Sequence, residues 1–166
     1  MRVLITGNKG YIGSVLCKEL LRESMEVVGL DTDFYRGCGF LEPGYRIKEI
    51  CKDIRRITKE DLSGFDSVIH LAALSNDPMG ALNPDLTSKI NYLASVNLAK
   101  ISREAKVKRF IFSSSCSVYG ISGDEMIDEN GVLDPVTEYA KSKVETEHEI
   151  AKLADKYFSP VILRNA

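Results

Sequence analysis

The sequence predicts an α/β chain built as a doubly wound parallel sheet with helices on both faces. Short, near-continuous apolar runs alternate with helical runs from one end to the other, the pattern of strands buried on both sides. The first apolar run passes without a spacer into a glycine-rich turn and then into an amphipathic helix. The residues with chemical potential, Gly7, Asp31, Ala72 and Ser113 to Ser115, fall at the carboxyl ends of strand-like runs, where such sheets hold their ligands. With right-handed crossovers the expected strand order is 3-2-1-4-5-6.

Val3, Leu4 and Ile5 form the first predicted strand, and residues 14–22 the first helix, with glycines at 7, 10 and 13 between them. Residues 26–31 make a second strand that closes on a carboxylate. A loop over 32–44 carries Gly37, Gly39 and Gly44 with the aromatics Phe34, Tyr35 and Phe40. Residues 45–50 read as a third strand leading to Asp53 and Ile54, and 67–73 as a fourth. Pro78, Asn83 and Pro84 punctuate the next loop. A long helix is expected over 86–105, where Leu86, Ile90, Leu93, Val96, Leu98 and Ile101 recur near helical spacing. A fifth strand, 109–112, runs into the serines at 113, 114, 115 and 117. Residues 120–135 are acidic and loop-like, 138–157 form a second long helix, and 160–164 a last strand.

At 166 residues the chain suits one domain with a real core. A net charge of −2, with cations dispersed among anions, gives no electrostatic reason to expect nucleic acid or an anionic membrane surface. No window approaches the roughly 20 apolar residues that span a bilayer, and no signal-peptide core stands near Met1. The expected location is cytoplasmic. The cysteines at 17, 38, 51 and 116 form no CxxC pair, so reduced thiols are expected, with neither a metal site nor a disulfide framework.

Strand, glycine turn and helix together present free backbone N–H groups and the positive end of a helix dipole to a phosphate. Asp31 follows Gly13 by 18 residues, at the tip of the second strand. A carboxylate there can accept from both hydroxyls of an adenosine ribose and would repel a 2′-phosphate, which favours NAD over NADP. A turn or cap role for Asp31 is the competing reading, and Arg36 stands close in sequence. Tyr139 and Lys143, four apart on a predicted helix, project from one face. A phenol with a reference pKa of about 10 needs a neighbouring cation to act as a base near neutrality. A solvated surface pair is the alternative. Ser115, at a strand end, could hydrogen-bond a substrate alcohol or carbonyl, while turn formation accounts equally for Ser113, Ser114 and Ser117.

TGNKGYIG at 6–13, then Asp31, Asp53-Ile54, His70-Leu71-Ala72-Ala73, Asn91, SSSCSVYG at 113–120 and YAKSK at 139–143 resemble the extended short-chain dehydrogenase/reductase family, in its NAD-dependent sugar epimerase/dehydratase branch. The resemblance covers essentially the whole chain and implies a Rossmann fold. It implies that Gly7, Gly10, Tyr11, Ile12 and Gly13 hold the pyrophosphate of NAD and Asp31 the adenosine ribose. Asp53 and Ile54 would bound the adenine pocket. Leu71, Ala72 and Ala73 would line the cofactor, Asn91 would help organise its site, and Ser113 would lie on the nicotinamide side. Ser115, Tyr139 and Lys143 would be the catalytic set, Lys143 also binding the nicotinamide ribose.

The chemistry so implied is transient oxidation: Tyr139 as phenolate takes a sugar hydroxyl proton while hydride passes to NAD, and Ser115 holds the same oxygen. In the family's 4,6-dehydratases an Asp-Glu pair follows the catalytic hydroxyl residue. Here Cys116 and Ser117 stand there, so epimerisation is favoured over dehydration. Family members usually continue into a smaller C-terminal domain that binds the nucleotide-sugar. The expectation is therefore that residues 1–166 are an NAD-binding domain without that second domain, either a fragment of a longer enzyme or a cofactor-binding module without activity of its own. The resemblance also implies a homodimer through the helices 86–105 and 138–157, packing of their apolar residues on the chain's own sheet being the competing reading.

Overall fold

The computed structural model describes residues 1–38, 44–121 and 126–165. Six strands form one sheet: β1 (Arg2–Thr6), β2 (Glu26–Asp31), β3 (Lys48–Cys51), β4 (Ser67–His70), β5 (Arg109–Ser115) and β6 (Ser159–Asn165). Every pairing is parallel, in the order β3-β2-β1-β4-β5-β6. The predicted topology is the one observed.

Side chains alternate along a strand, so a sheet with two apolar faces needs two cores. Leu4, Val28, Leu30 and Val68 point into the larger one, with Phe110, Phe112, Leu98 and Ile150. Val3, Ile5 and Val27 point the other way, onto Cys17 of helix α1 (Tyr11–Arg22). At the β6 edge the pattern weakens: Ile162 packs on the larger core, while Val161 and Leu163 remain part-exposed.

Helix α1 starts at Tyr11 rather than at 14 because Gly10 already serves as its N-cap. Strand β3 is short and displaced toward the carboxyl side of the predicted 45–50. Tyr45 lies outside it, packs against the smaller core and donates from its hydroxyl to Ser14 O at 3.0 Å. The loop read around Pro78 and Pro84 holds two short helices, α2 (Asp77–Leu82) and α3 (Pro84–Thr87). Their asparagines are caps: Asn76 Oδ1 accepts from Met79 N at 2.9 Å, and Asn83 Oδ1 from Leu86 N at 3.0 Å.

The expected helix over 86–105 is composite. Helix α3 runs into a π-helical segment, Ser88–Ala94, and then into α4 (Ser95–Glu104). Most of its apolar residues face their own sheet; Leu93, 54% exposed, does not. Helix α5 (Glu138–Ala151) ends well short of 157. Asp155 Oδ1 accepts from the N–H of Tyr157 at 2.7 Å and of Phe158 at 2.9 Å, which turns the chain and delivers Phe158 into the larger core. Gly39 and Phe40 of the first loop, and Asp124 and Glu125 of the acidic loop, lie outside the described residues. Among the described residues, no helix is long and apolar enough to cross a membrane, and no three His, Cys, Asp or Glu residues gather as a metal site.

Candidate active site

The turn after β1 is shaped by two glycines that have no room for a side chain. Gly7 has φ +75°, and a Cβ on it would lie 2.8 Å from Ala72 N, so the turn sits directly against the end of β4. A Cβ on Gly13 would lie 2.2 Å from Gly7 O, so helix α1 also packs hard onto the turn. The helix has no side-chain cap and no acidic residue in its first turn. Its first bond runs from Ser14 N to Gly10 O at 3.0 Å, leaving the N–H groups of Tyr11, Ile12 and Gly13 ahead of it. An oxyanion lying across this turn would meet those donors and the positive end of the dipole.

Asp31 ends β2 beside that turn. Its Oδ1 accepts from Asp33 N at 2.9 Å and its Oδ2 from Lys9 N at 3.2 Å, so the carboxylate is fixed by backbone and retains acceptor capacity. It shares a pocket of about 230 Å³ with Asn8, Lys9, Asp33, Arg36, Glu49, Ile50 and Cys51. Both cations are already engaged: Lys9 Nζ lies 3.1 Å from Asp33 and 3.2 Å from Glu49, and Arg36 lies 2.6 Å from Asp33. Arg36, then Lys9, hold the Asp33 carboxyl below its ordinary range. Buried Asn8 donates from Nδ2 to Glu49 Oε1 at 3.1 Å, while its Oδ1 has no hydrogen-bond partner among the described residues. Asn8, Lys9, Asp33 and Glu49 were not read as site residues from the sequence. The signal for Asn8 was its place inside the glycine turn; Glu49 reaches it only through the parallel pairing of β2 with β3.

Asp53 and Ile54 lie just beyond β3, in roles the fold itself requires. Asp53 Oδ1 accepts from Arg55 N at 2.8 Å, capping a 3₁₀ turn, and its carboxylate pairs with the Arg55 guanidinium at 2.6 Å. Ile54 buries its side chain in the larger core. At the end of β4, Leu71 N donates to Thr6 O at 3.1 Å and Ala72 N to Thr6 Oγ1 at 3.4 Å, which ties Leu71 and Ala72, with Ala73 following, to the glycine turn. His70 is enclosed between Thr6 Oγ1, 2.6 Å from Nδ1, and Ser95 Oγ, 2.7 Å from Nε2. Burial, and secondarily Lys143, push its pKa down to about 3, so the ring is neutral. Asn91, on the π-helical segment, accepts from Leu74 N at 2.8 Å and donates to Leu74 O at 3.0 Å. Its own carbonyl accepts from Thr146 Oγ1 of α5 at 3.0 Å. Asn91 thus positions the β4 loop and ties it to α5.

Helix α5 is capped by Thr137, whose Oγ1 accepts from Ala140 N at 3.1 Å. Tyr139 stands in its first turn against Gly80 of α2, where a Cβ would come within 3.1 Å of the tyrosine Cβ. One turn on, Lys143 is buried, with Nζ 5.5 Å from the Tyr139 ring centroid and 4.7 Å from that of Phe112. Lys143 Nζ donates to Ser113 O at 2.7 Å, which pins the helix to the end of β5. Ser113 Oγ accepts from Asn165 Nδ2 at 2.9 Å. Ser115 Oγ accepts from Ser117 N at 3.2 Å and from Ser117 Oγ at 3.0 Å, and sits on the Tyr139 side of the strand end. Burial lowers the Lys143 pKa to about 8, against the opposing pull of Glu147. Burial raises Tyr139 above its ordinary value, helped by Asp77 and Cys116 and opposed by the nearby Ser115 hydroxyl. In this state Tyr139 is therefore a neutral phenol, because desolvation outweighs the favourable contact.

Residues 3–166 match the NAD dependent epimerase/dehydratase family. The chain belongs to this family. It is 31% identical over 94% of its length to a UDP-glucose 4-epimerase of Lactobacillus helveticus, of which it covers 48%. A UDP-glucose 4-epimerase of Bacillus subtilis is 30% identical over 99% of the chain, which covers 52% of that protein. The chain thus spans about half the length of these curated relatives. Among solved structures, the Thermus thermophilus UDP-glucose 4-epimerase in complex with NAD superposes with a TM-score of 0.84 at 30% identity, over 99% of this chain and 54% of that one. TunA, an NAD dependent NDP-hexosamine 5,6-dehydratase of tunicamycin biosynthesis, gives a TM-score of 0.87 at 28% identity, over 98% of this chain and 54% of that one. NAD is the family's cofactor, and the glycine turn, backed so closely that no Cβ fits, suits its pyrophosphate.

Proposed function

We propose that this chain is the NAD-binding and catalytic portion of an epimerase-type oxidoreductase acting on a nucleotide-sugar. The observation that carries the reading is the meeting of Tyr139, Lys143 and Ser115 at the end of β5, with Lys143 Nζ donating to Ser113 O at 2.7 Å. Gly7, Gly10, Tyr11, Ile12 and Gly13 would hold the pyrophosphate through their backbone, and Asp31 the adenosine ribose. Asp53 and Ile54 would bound the adenine, Leu71, Ala72 and Ala73 would flank the cofactor, and Ser113 and Lys143 would lie at its nicotinamide end. Bound NAD supplies a hydride acceptor.

Tyr139 receives the proton of the sugar hydroxyl, and Ser115 Oγ hydrogen-bonds the same oxygen. For this Tyr139 must first lose its own proton; Lys143, with its pKa near 8, is mostly charged at neutral pH, and its ammonium together with the positive charge of bound NAD would favour that phenolate against the burial that raises it. Cys116 and Ser117 offer no carboxylate beside Ser115 for an elimination, which favours epimerisation over dehydration. The three carboxylates of the Asp31 pocket, set against two cations already paired, favour NAD over NADP.

A second reading, a cofactor-binding module without turnover, draws on the buried and protonated state of Tyr139. Incubation of the chain with NAD and a panel of UDP-, GDP- and dTDP-sugars separates the two. Interconversion of a sugar with its epimer supports the enzyme. Bound NAD with no turnover of any sugar leaves the module.

A further inference from the structure

Glu147 lies on α5 one turn beyond Lys143 and is buried. Its carboxylate accepts from Ser114 Oγ, the residue of β5 between Ser113 and Ser115. It also takes a two-pronged contact from Arg164 of β6, at 2.7 Å from Nη2 and 3.1 Å from Nε. The remaining arm of Arg164 reaches outward, Nη1 donating to Tyr119 OH at 3.0 Å and to Glu129 O at 2.9 Å. The guanidinium lies 5.3 Å from the Tyr119 ring centroid. One ion pair therefore touches the catalytic strand, the catalytic helix, the turn after Ser115 and the acidic loop.

A buried ion pair is poor evidence for stability, since apolar residues of similar volume often hold two elements together as well or better. What apolar residues could not supply here is a directional tie to Glu129 O and a carboxylate one turn from Lys143. The groups facing Lys143 are few. Glu147 and Tyr139 come from its own helix, neutral His70 from β4, and the Ser113 carbonyl with the Phe112 ring from β5. Glu147 is the only carboxylate among these, and it acts against the burial that depresses the lysine.

We propose that Glu147 and Arg164 form a positioning unit that holds the loop segment at Glu129 to the Tyr139 and Lys143 helix and keeps Lys143 charged. This rests on the reading of Tyr139 and Lys143 as the catalytic pair. Neither Glu147 nor Arg164 touches the reacting atoms; they act through Lys143, through Ser114 and through the loop.

Two variants test it on the 166-residue chain without cofactor. Glu147→Gln keeps the shape and an acceptor oxygen but removes the charge. Side-chain NMR titration, with the signal assigned through Lys143→Met, should find the Lys143 midpoint lowered by roughly one unit. An unchanged midpoint would overturn the electrostatic role. Arg164→Lys keeps the charge beside Glu147 but cannot span to Glu129 O. It should leave the Lys143 midpoint in place and speed amide exchange at Asn130 and Gly131 by about tenfold, the loss of one hydrogen bond. Unchanged exchange would overturn the tie. Should Glu147→Gln fail to fold, Arg164→Gln, which leaves the Glu147 charge without its guanidinium partner, should raise the Lys143 midpoint, and an unchanged midpoint there would overturn the electrostatic role. Neither readout requires turnover, so an inactive chain would refute the proposed function and leave this result standing.

Discussion

His70 joins two parts of the fold through a single ring. It links Thr6, at the start of the glycine turn, to Ser95 at the head of α4, and burial holds it neutral with a pKa of about 3. An unfolded histidine, near 6.5, binds a proton that the folded one refuses, so stability falls as pH drops from about 6.5 toward 3, by roughly 1.4 kcal/mol per unit. Urea unfolding at pH 7 and pH 5 should show this loss in the natural chain and a flatter slope in His70→Gln; equal slopes would remove His70 as the cause. Asp31→Ala should weaken NAD binding more than NADP binding by calorimetry, and equal losses would contradict its ribose role. Asp31, Tyr139 and Lys143 were legible in the sequence because each belongs to a local pattern, a strand tip or a helix turn. Asn8, Glu49, Glu147 and Arg164 were not, because only sheet pairing and helix packing bring them together. The structure also sharpens the expectation for Tyr139: without substrate and cofactor, burial holds it protonated despite its neighbouring cation.

At the scale of elements, the signals misread were mostly caps. Asn83 and Pro84 look like loop punctuation, yet Asn83 caps α3 and Pro84 opens it, the position where a missing N–H costs nothing. The stretch 86–105 shows helical spacing throughout, and spacing alone cannot reveal that its middle is a π-helix. That widened turn frames Asn91, whose side chain holds both backbone groups of Leu74 while its carbonyl receives Thr146. Asn91→Ala should cost about 2–4 kcal/mol in urea unfolding, since it strips two backbone groups of their partners. A loss below about 0.5 kcal/mol, the range of an ordinary surface change, would show that Asn91 positions nothing. The end of α5 was overrun for a related reason: Asp155 turns the chain with two backbone hydrogen bonds that helical periodicity does not announce.

Across the whole molecule, six parallel strands carry the glycine turn, Asp31, the β4 loop and the serine segment to one edge of the sheet. Strand order was legible because continuous apolar runs, crossover handedness and the ligand-bearing strand ends all point to one topology. Association was not. Of the apolar residues on α4 and the segment before it, Leu93 is the one left largely exposed, so a homodimer through this face would rest on few apolar contacts. The central claim is that the turn from Gly7 to Gly13 is an NAD site, and calorimetric titration of the 166-residue chain with NAD tests it most directly. Saturable binding of one NAD per chain, abolished by Gly13→Ala, where a Cβ would sit 2.2 Å from Gly7 O, is the predicted result. Absence of NAD binding, or binding unchanged in Gly13→Ala, would contradict it.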